Sequence, residues 1–370
     1  MILRSARQED DAILTSKVAI IKFNKNIAES FEQALHLIGG IDHANTTDRS
    51  VIVKVGVFSH KAENHTSVRV VDAIINSFDK SPEVFLVESD NYQGKGLERL
   101  EVWNQLFTNR VKPFSLSDDA NVIDVTLAGQ EMKLSNKLFK PNIFVDTHIL
   151  RSFERGSILK NLFGCVPTSK KAKFHKLEIF CPLLADIFEA IGGIDLALID
   201  GTYFWSGAGD FPVRMNTFMV GRDAVAVETV GTLLAGFDPK KIPVIQEFVK
   251  RGLGEGDMEN IRILGTSYEA LKEEIATAKE TQKKMRTQAR AFGPQTWGGK
   301  SYRALESLIQ DGFFKLPNKR TRKDVAEALE ARGLSTEGKE QKIADSLSRR
   351  VKKGVLKSDK TPDGWVYWTE

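Results

Sequence analysis

Short apolar runs recurring between segments of helical periodicity constrain this chain more than any single motif. Val18-Ala19-Ile20-Ile21, Val51-Ile52-Val53-Lys54-Val55 and Val84-Phe85-Leu86-Val87 read as strands, and Leu196-Ala197-Leu198-Ile199 as a buried strand ending at Asp200-Gly201. Between the first two, Ile27, Phe31, Ala34, Leu35 and Ile38 fall at helical spacing, and Gly39-Gly40 terminates the helix. A second helix is expected near residues 66–78, a third over 224–234 closed by Gly236, and a long charged one over 269–284. Residues 108–140 read as a meander of short strands with a turn at Ala128-Gly129-Gln130, and residues 142–146 re-enter the sheet. Strands alternating with helices predict an α/β fold with a mostly parallel sheet and flanking helices.

The 370 residues exceed what one compact core usually serves, so two domains are expected. Charge divides them: residues 281–370 hold 20 Lys and Arg against 11 Asp and Glu, while the remainder is mildly acidic. No run approaches the roughly 20 apolar residues of a membrane span, and Arg4 and Arg7 run straight into Glu9-Asp10-Asp11. No membrane partner is expected. Two cysteines, Cys165 and Cys181, are too few for a four-thiolate metal site, so no iron–sulfur cluster is expected and a reducing cytoplasm fits best.

In open parallel sheets ligands gather beyond the carboxyl ends of strands. Lys54 lies within the second strand, Glu88 and Asp90 follow the third, and Asp146 stands two residues before His148. The last two form either a shared site or an ordinary structural pair. The run Lys160-Asn161-Leu162-Phe163-Gly164-Cys165-Val166-Pro167 sets a cation and an amide beside a turn glycine. Ser169-Lys170-Lys171, Lys173 and His175 follow within a few residues. Such a cluster suits phosphate or carboxylate, with His175 able to titrate near neutral pH; the alternative is a solvated basic loop. Lys160, Asn161, His175 and Asp200 are the catalytic candidates. Lys54 with Gly207 and Gly209, in a glycine-rich loop lacking the phosphate-loop ending, are candidates for holding a cofactor or anion. Asp200, Asp223 and Glu228 are candidate oxygen ligands for a divalent metal.

The order of these pieces carries a resemblance. Lys160-Asn161-Leu162-Phe163-Gly164-Cys165-Val166-Pro167, His175, Leu198-Ile199-Asp200-Gly201 and Asp223-Ala224-Val225-Ala226-Val227-Glu228 resemble the family named domain of unknown function 362, as do Val53-Lys54 and Thr66 with its helix. The likeness spans residues 50–265. It implies an α/β domain, often fused to ferredoxin-like cysteine modules, with no settled reaction. The sequence departs from the family at two places. Thr147-His148-Ile149-Leu150-Arg151 replaces a Lys-x-Lys-Thr-His-like segment, and Glu228 replaces an aspartate.

After the body (residues 1–285), residues 286–300 with Phe292-Gly293-Pro294 read as a linker. In residues 301–370, Thr321 and Asp324 open one helix that stops at Gly333. Ile343, Leu347 and Val351 stripe a second over 339–353, and Asp363-Gly364 marks a hairpin between residues 355–357 and 365–368. Helix, helix, hairpin resembles a winged-helix domain. Lys319, Arg320, Arg322 and Lys323 crowd the first helix's start, and Arg349, Arg350, Lys352 and Lys353 the second helix's end, as candidate contacts to DNA or RNA. Three function classes follow: a body that binds a small anion or a divalent metal, a nucleic-acid-associated factor, or a protein-interaction scaffold.

Overall fold

A computed structural model describes residues 16–23, 26–60, 64–152, 156–205, 211–291, 296–362 and 364–370. Cα packing divides the chain into two units, residues 1–209 with 215–275, and residues 210–214 with 276–370. The Gly207 and Gly209 candidates, Asp363 of the hairpin turn, and Phe292-Gly293-Pro294 of the linker lie outside the described residues.

The first unit opens with β1 (Ser16–Lys22), α1 (Ile27–Leu37), β2 (Val51–Lys54), α2 (Val68–Ser77), β3 (Val84–Glu88), α3 (Gly96–Leu100) and β4 (Val111–Ser115). It continues through β5 (Val122–Leu127), β6 (Gln130–Ser135), β7 (Ile143–Arg151), α4 (Ile158–Asn161), α5 (Leu177–Ala190), β8 (Leu196–Trp205) and β9 (Val213–Gly221). The elements α6 (Ala224–Leu234), α7 (Pro243–Lys250) and β10 (Ile261–Gly265) follow, and α8 (Tyr268–Ala291) crosses the division, its residues from 276 onward belonging to the second unit. Eight strands form one sheet in the order β10-β1-β9-β8-β7-β2-β3-β4. The β10–β1, β8–β7, β7–β2, β2–β3 and β3–β4 pairs are parallel, and β9 runs antiparallel to β1. Residues 206–212 alone separate β8 from its neighbour β9, too few for a parallel crossover, so β9 is the reversed strand.

Every residue of β2 and β3 is buried, as a parallel sheet covered on both faces requires. Alternate residues, among them Val51, Val53, Val145, Leu196 and Leu198, share a core with α1 and α2. Ile199 points the other way, so tightly against α6 that a β-carbon on Gly231 would stand 2.4 Å from its Cδ1. Period-two alternation therefore sends Lys54 and Asp146 to the α6 face and Asp200 to the α2 face. The predicted meander resolves into two parts. β4 joins the main sheet, while β5 and β6 form a separate hairpin whose turn has Ala128 and Gly129 at φ 48° and 70°.

The second unit contains α9 (Trp297–Gln310), β11 (Arg320–Thr321), α10 (Arg322–Glu330), α11 (Glu340–Lys352), β12 (Lys357–Thr361) and β13 (Gly364–Trp368). The strands form a sheet in the order β11-β13-β12. Thr321 caps α10 reciprocally with Asp324, the arrangement that their spacing predicts. Leu305, Leu308, Phe314, Val325, Leu329, Ile343, Leu347 and Tyr367 make the core.

Candidate functional site

The carboxyl ends of β2 and β3 meet in a buried ionic cluster. Lys54 ends β2 with no solvent exposure, and its ammonium donates to Glu88 Oε2 (2.8 Å), Asn161 Oδ1 (3.1 Å) and the Val55 carbonyl (2.9 Å). Glu88 ends β3 and also accepts from the Ser89 amide (2.9 Å), while the Arg99 guanidinium of α3 stands 3.2 Å away. Burial by itself would push the Glu88 carboxyl up. Lys54, Arg99 and Lys171 outweigh that and hold it below its usual range.

Asn161 joins this cluster to β7. Its Oδ1 faces the Lys54 ammonium and its Nδ2 donates to Asp146 Oδ1 (2.7 Å). Only this amide orientation serves both neighbours. Asp146 lies opposite Lys54 in the β2–β7 register and is fully buried, with no hydrogen-bond partner at Oδ2. Burial pushes its pKa up to about 8 despite Lys54 and Asn161, so this acid is largely protonated at neutral pH.

The segment after α4 closes over the cluster. Ser89 Oγ donates to the Gly164 carbonyl (2.5 Å), and the Lys171 ammonium donates to Ser89 Oγ (2.8 Å) and the Phe163 carbonyl (3.1 Å). Burial, aided by Lys54 and Arg99, lowers Lys171 to about 8 although Glu88 opposes it. The thiol of Cys165, fully buried beside this cluster, is pushed up to about 12 chiefly by burial, which makes it a poor nucleophile.

The predicted residues separate. Lys54 and Asn161 meet in the cluster. Lys160 is half-buried one residue before Asn161, and its charge acts at His148. His148 lies on β7 two residues past Asp146, but its Nδ1 accepts the Ile149 amide (2.7 Å) while Asp146 is held by Asn161. His175 is exposed, its ring tilted over Phe163 with centroids 5.4 Å apart.

Asp200 requires a correction, because β8 continues five residues beyond it to Trp205 and the acid is not past a strand end. It accepts from the Ser67 amide ahead of α2 (2.6 Å) and from the Thr202 amide and hydroxyl (2.7 and 2.6 Å). Burial raises its pKa against those donors.

The metal assignment for Asp200, Asp223 and Glu228 is also corrected, because each carboxylate serves a different stretch of backbone. Asp223 follows the reversed strand β9, caps α6 through the Val225 and Ala226 amides (2.9 and 3.0 Å) and accepts from Ser16 and Glu255. Ser16 begins β1, so Asp223 stands at the amino edge of β1. Glu228, buried in α6, accepts the Ser157 and Leu159 amides (2.7 and 2.9 Å) and thereby fixes the start of α4. Among the described residues, no three His, Cys, Asp or Glu side chains converge as a metal site needs.

In the second unit Lys319, Arg322, Lys323, Arg349, Lys352 and Lys353 are exposed. Lys319 lies 4.4 Å over the Trp368 ring, and Arg322 Nε donates to the Tyr367 hydroxyl (3.2 Å). Arg320 is half-buried, donating to the Phe313 carbonyl (2.9 Å) and stacked over its ring. Arg350 is corrected as a phosphate contact. It is 5% exposed, paired with Glu306 (2.7 Å), bonded to Ser346 and set 4.9 Å over Tyr302. The local sequence carries no sign of Arg99 as a site residue, because its partners Glu88, Ser89 and Val57 come from two other strand ends.

No helix among the described residues is long and apolar enough to cross a membrane. No curated protein matches the chain. The family model described as Domain of unknown function (DUF362) matches residues 51–232, a span that opens with β2, closes within α6 and contains Lys54, Glu88, Arg99, Asp146, Asn161 and Lys171. Over this span the chain is similar to the DUF362 family.

Proposed function

We propose that the first unit binds a small anionic ligand at the strand-end cluster. One observation carries the reading: Lys54, Arg99 and Lys171 surround Glu88, while the nearby Asp146 is largely protonated at neutral pH. A buried excess of cations is costly, and the lowered Lys171 expresses that cost. An incoming phosphate or carboxylate relieves it, and Lys171, the half-buried member, stands where such a ligand enters. Lys160, His175 and the glycine-rich segment with Gly207 and Gly209 remain candidates for contacts to the rest of the ligand.

Binding should restore Lys171 toward its ordinary range and therefore take up protons near pH 8. Calorimetric titration with inorganic phosphate and with acetate, in buffers of different ionisation enthalpy, measures that uptake. Lys171→Met should abolish binding while leaving the melting temperature unchanged or raised, since it removes a disfavoured buried charge. Equal binding by Lys171→Met and the unsubstituted protein would sink the reading.

A second reading assigns nucleic-acid binding to the second unit, in which α9, β11, α10, α11 and the β12–β13 hairpin follow the order of a winged helix. It is supported by the exposed Lys319, Arg322, Lys323 and Lys352. Each phosphate contact contributes about −0.9 to the slope of log K against log salt. Charge reversal at Lys323 and Lys352 should flatten that slope for duplex DNA or structured RNA. A slope indifferent to both reversals would transfer the unit to the protein-interaction reading. Cytoplasmic residence, which the free and buried Cys165 and Cys181 favour, belongs to the proposal and is checked by cell fractionation.

A further inference from the structure

The second unit contains a groove of about 820 Å³ that neither reading uses. Its walls are residues 281–285 of α8, the first half of α9, and the face of α11 that presents Lys342, Ser346, Arg349 and Lys353 at helical spacing. The volume lies within the range of small-molecule sites, roughly 300–1,000 Å³.

The charges around this groove are unequal. Glu306 is paired with the buried Arg350, and Asp345 accepts from Gln341 (2.8 Å). Lys284, Lys342 and Lys353 are exposed and pair with no acid among the described residues. Arg349 is a further cation of the lining, beside the Arg350 that Glu306 holds. The Arg350–Glu306 pair is rigid because Arg350 also holds the Ser346 hydroxyl (2.7 Å) and carbonyl (3.2 Å). At one wall, Trp297 is half-buried, and its indole N–H donates to the Ser335 carbonyl (2.8 Å), which fixes the ring's orientation. A positioned aromatic ring beside lysines suits a planar, negatively charged molecule, through stacking on one part and ion pairing on the other.

We propose that this groove binds a small organic anion that carries a planar ring, of the size and charge of a nucleoside phosphate. A duplex is the poorer occupant. A helix that enters the major groove must be open on its recognition face, whereas Lys342, Arg349 and Lys353 look across a half-enclosed space lined by α8. The groove's residues are separate from the strand-end cluster, so the proposal does not depend on the anion reading.

Calorimetric titration of the full chain carrying Lys171→Met, which silences the strand-end site, with ADP, adenosine and pyrophosphate tests it. ADP is expected to bind one-to-one and more tightly than either part. Lys342→Glu with Lys353→Glu should weaken it by about tenfold or more, as the loss of charge-assisted contacts implies. Both substitutions are on exposed side chains, and Lys284→Glu provides an independent variant should that pair disturb α11. Trp297→Leu should bring ADP affinity down to that of pyrophosphate. No ADP binding, binding indifferent to the charge reversals, or pyrophosphate binding as tightly as ADP would overturn the proposal. So would a duplex whose binding depends on Lys342 and Lys353 when ADP binding does not.

Discussion

Gly164 lies against the buried side chain of Lys54 so closely that a β-carbon would stand 2.3 Å from Lys54 Cε and 2.8 Å from Glu88 Oε1. The lysine cannot retreat, because its three protons are committed to Glu88, Asn161 and Val55. Its φ lies outside the left-handed region, so Gly164→Ala tests packing alone. The substitution should destabilise the first unit by about 1–3 kcal/mol, the usual cost of overpacking. Urea denaturation measures it, and an unchanged midpoint would mean that the segment after α4 lifts freely from the cluster.

Breaking the Lys54–Glu88 pair from one side should cost more than removing it whole. Lys54→Met leaves the buried Glu88 with Arg99 and a backbone amide, and deprives Asn161 Oδ1 of its donor. That single change should cost about 3–5 kcal/mol, as half-broken buried pairs do. Lys54→Met combined with Glu88→Gln should recover about 1–3 kcal/mol relative to additivity. Strict additivity in a double-mutant cycle would show that the two charges do not support each other.

Much of the body was legible because periodicity is local. β1, β2, β3, α1 and α6 fall where apolar spacing predicts them. Lys54 is legible as an oddity, a cation inside an apolar run, but its partners are 34 and 107 residues away and no local pattern names them. Asp200 illustrates the reverse error. Gly201 resembles a strand terminator, yet it is needed because a β-carbon there would stand 2.6 Å from Thr217 Cγ2 of the neighbouring strand, and β8 runs on. The sequence reads Asp223 and Glu228 together as metal ligands, yet Asp223 is held by the amides of its own helix at Val225 and Ala226, and Glu228 by those of Ser157 and Leu159 far earlier in the chain. Counting acids cannot separate a ligand from a cap.

Asp146 should make stability fall as pH rises across neutrality. Its carboxyl ionises near the ordinary 3.8 in the unfolded chain and at about 8 in the folded one. Between those values the folded state binds more protons, so raising the pH favours unfolding. Asp146→Asn, a neutral isostere, removes this contribution. The variant should match the unsubstituted protein near pH 4 and exceed its stability by a margin that grows as the pH rises toward 8. Denaturant melts across that window check the sign, and a gap that shrinks with rising pH would contradict the buried, protonated acid. Lys171 acts above this window. Its lowered folded value makes stability rise with pH from about 8 toward its unfolded range, so Lys171→Met separates the two effects.

Arg349 and Arg350 are adjacent in sequence and opposite in role. Ile343 and Leu347 of α11 turn into the core, and one further turn along that inward face brings Arg350, not Arg349. Arg350 meets Glu306 of α9, 44 residues earlier, and so ties α11 to α9 through charge, hydrogen bonds and the Tyr302 ring. Arg350→Met should therefore destabilise the second unit by about 3–5 kcal/mol, leaving Glu306 without its partner. Arg349→Met, at an exposed position, should cost less than Arg350→Met. The contrast extends to ligands: Arg349→Met should weaken anion binding in the groove with the fold intact, whereas Arg350→Met should lose binding only as the unit unfolds. Parallel thermal melts and ADP titrations on both variants distinguish these outcomes. Equal melting temperatures for the two would mean that the Arg350–Glu306 pair contributes nothing to holding α11 on α9.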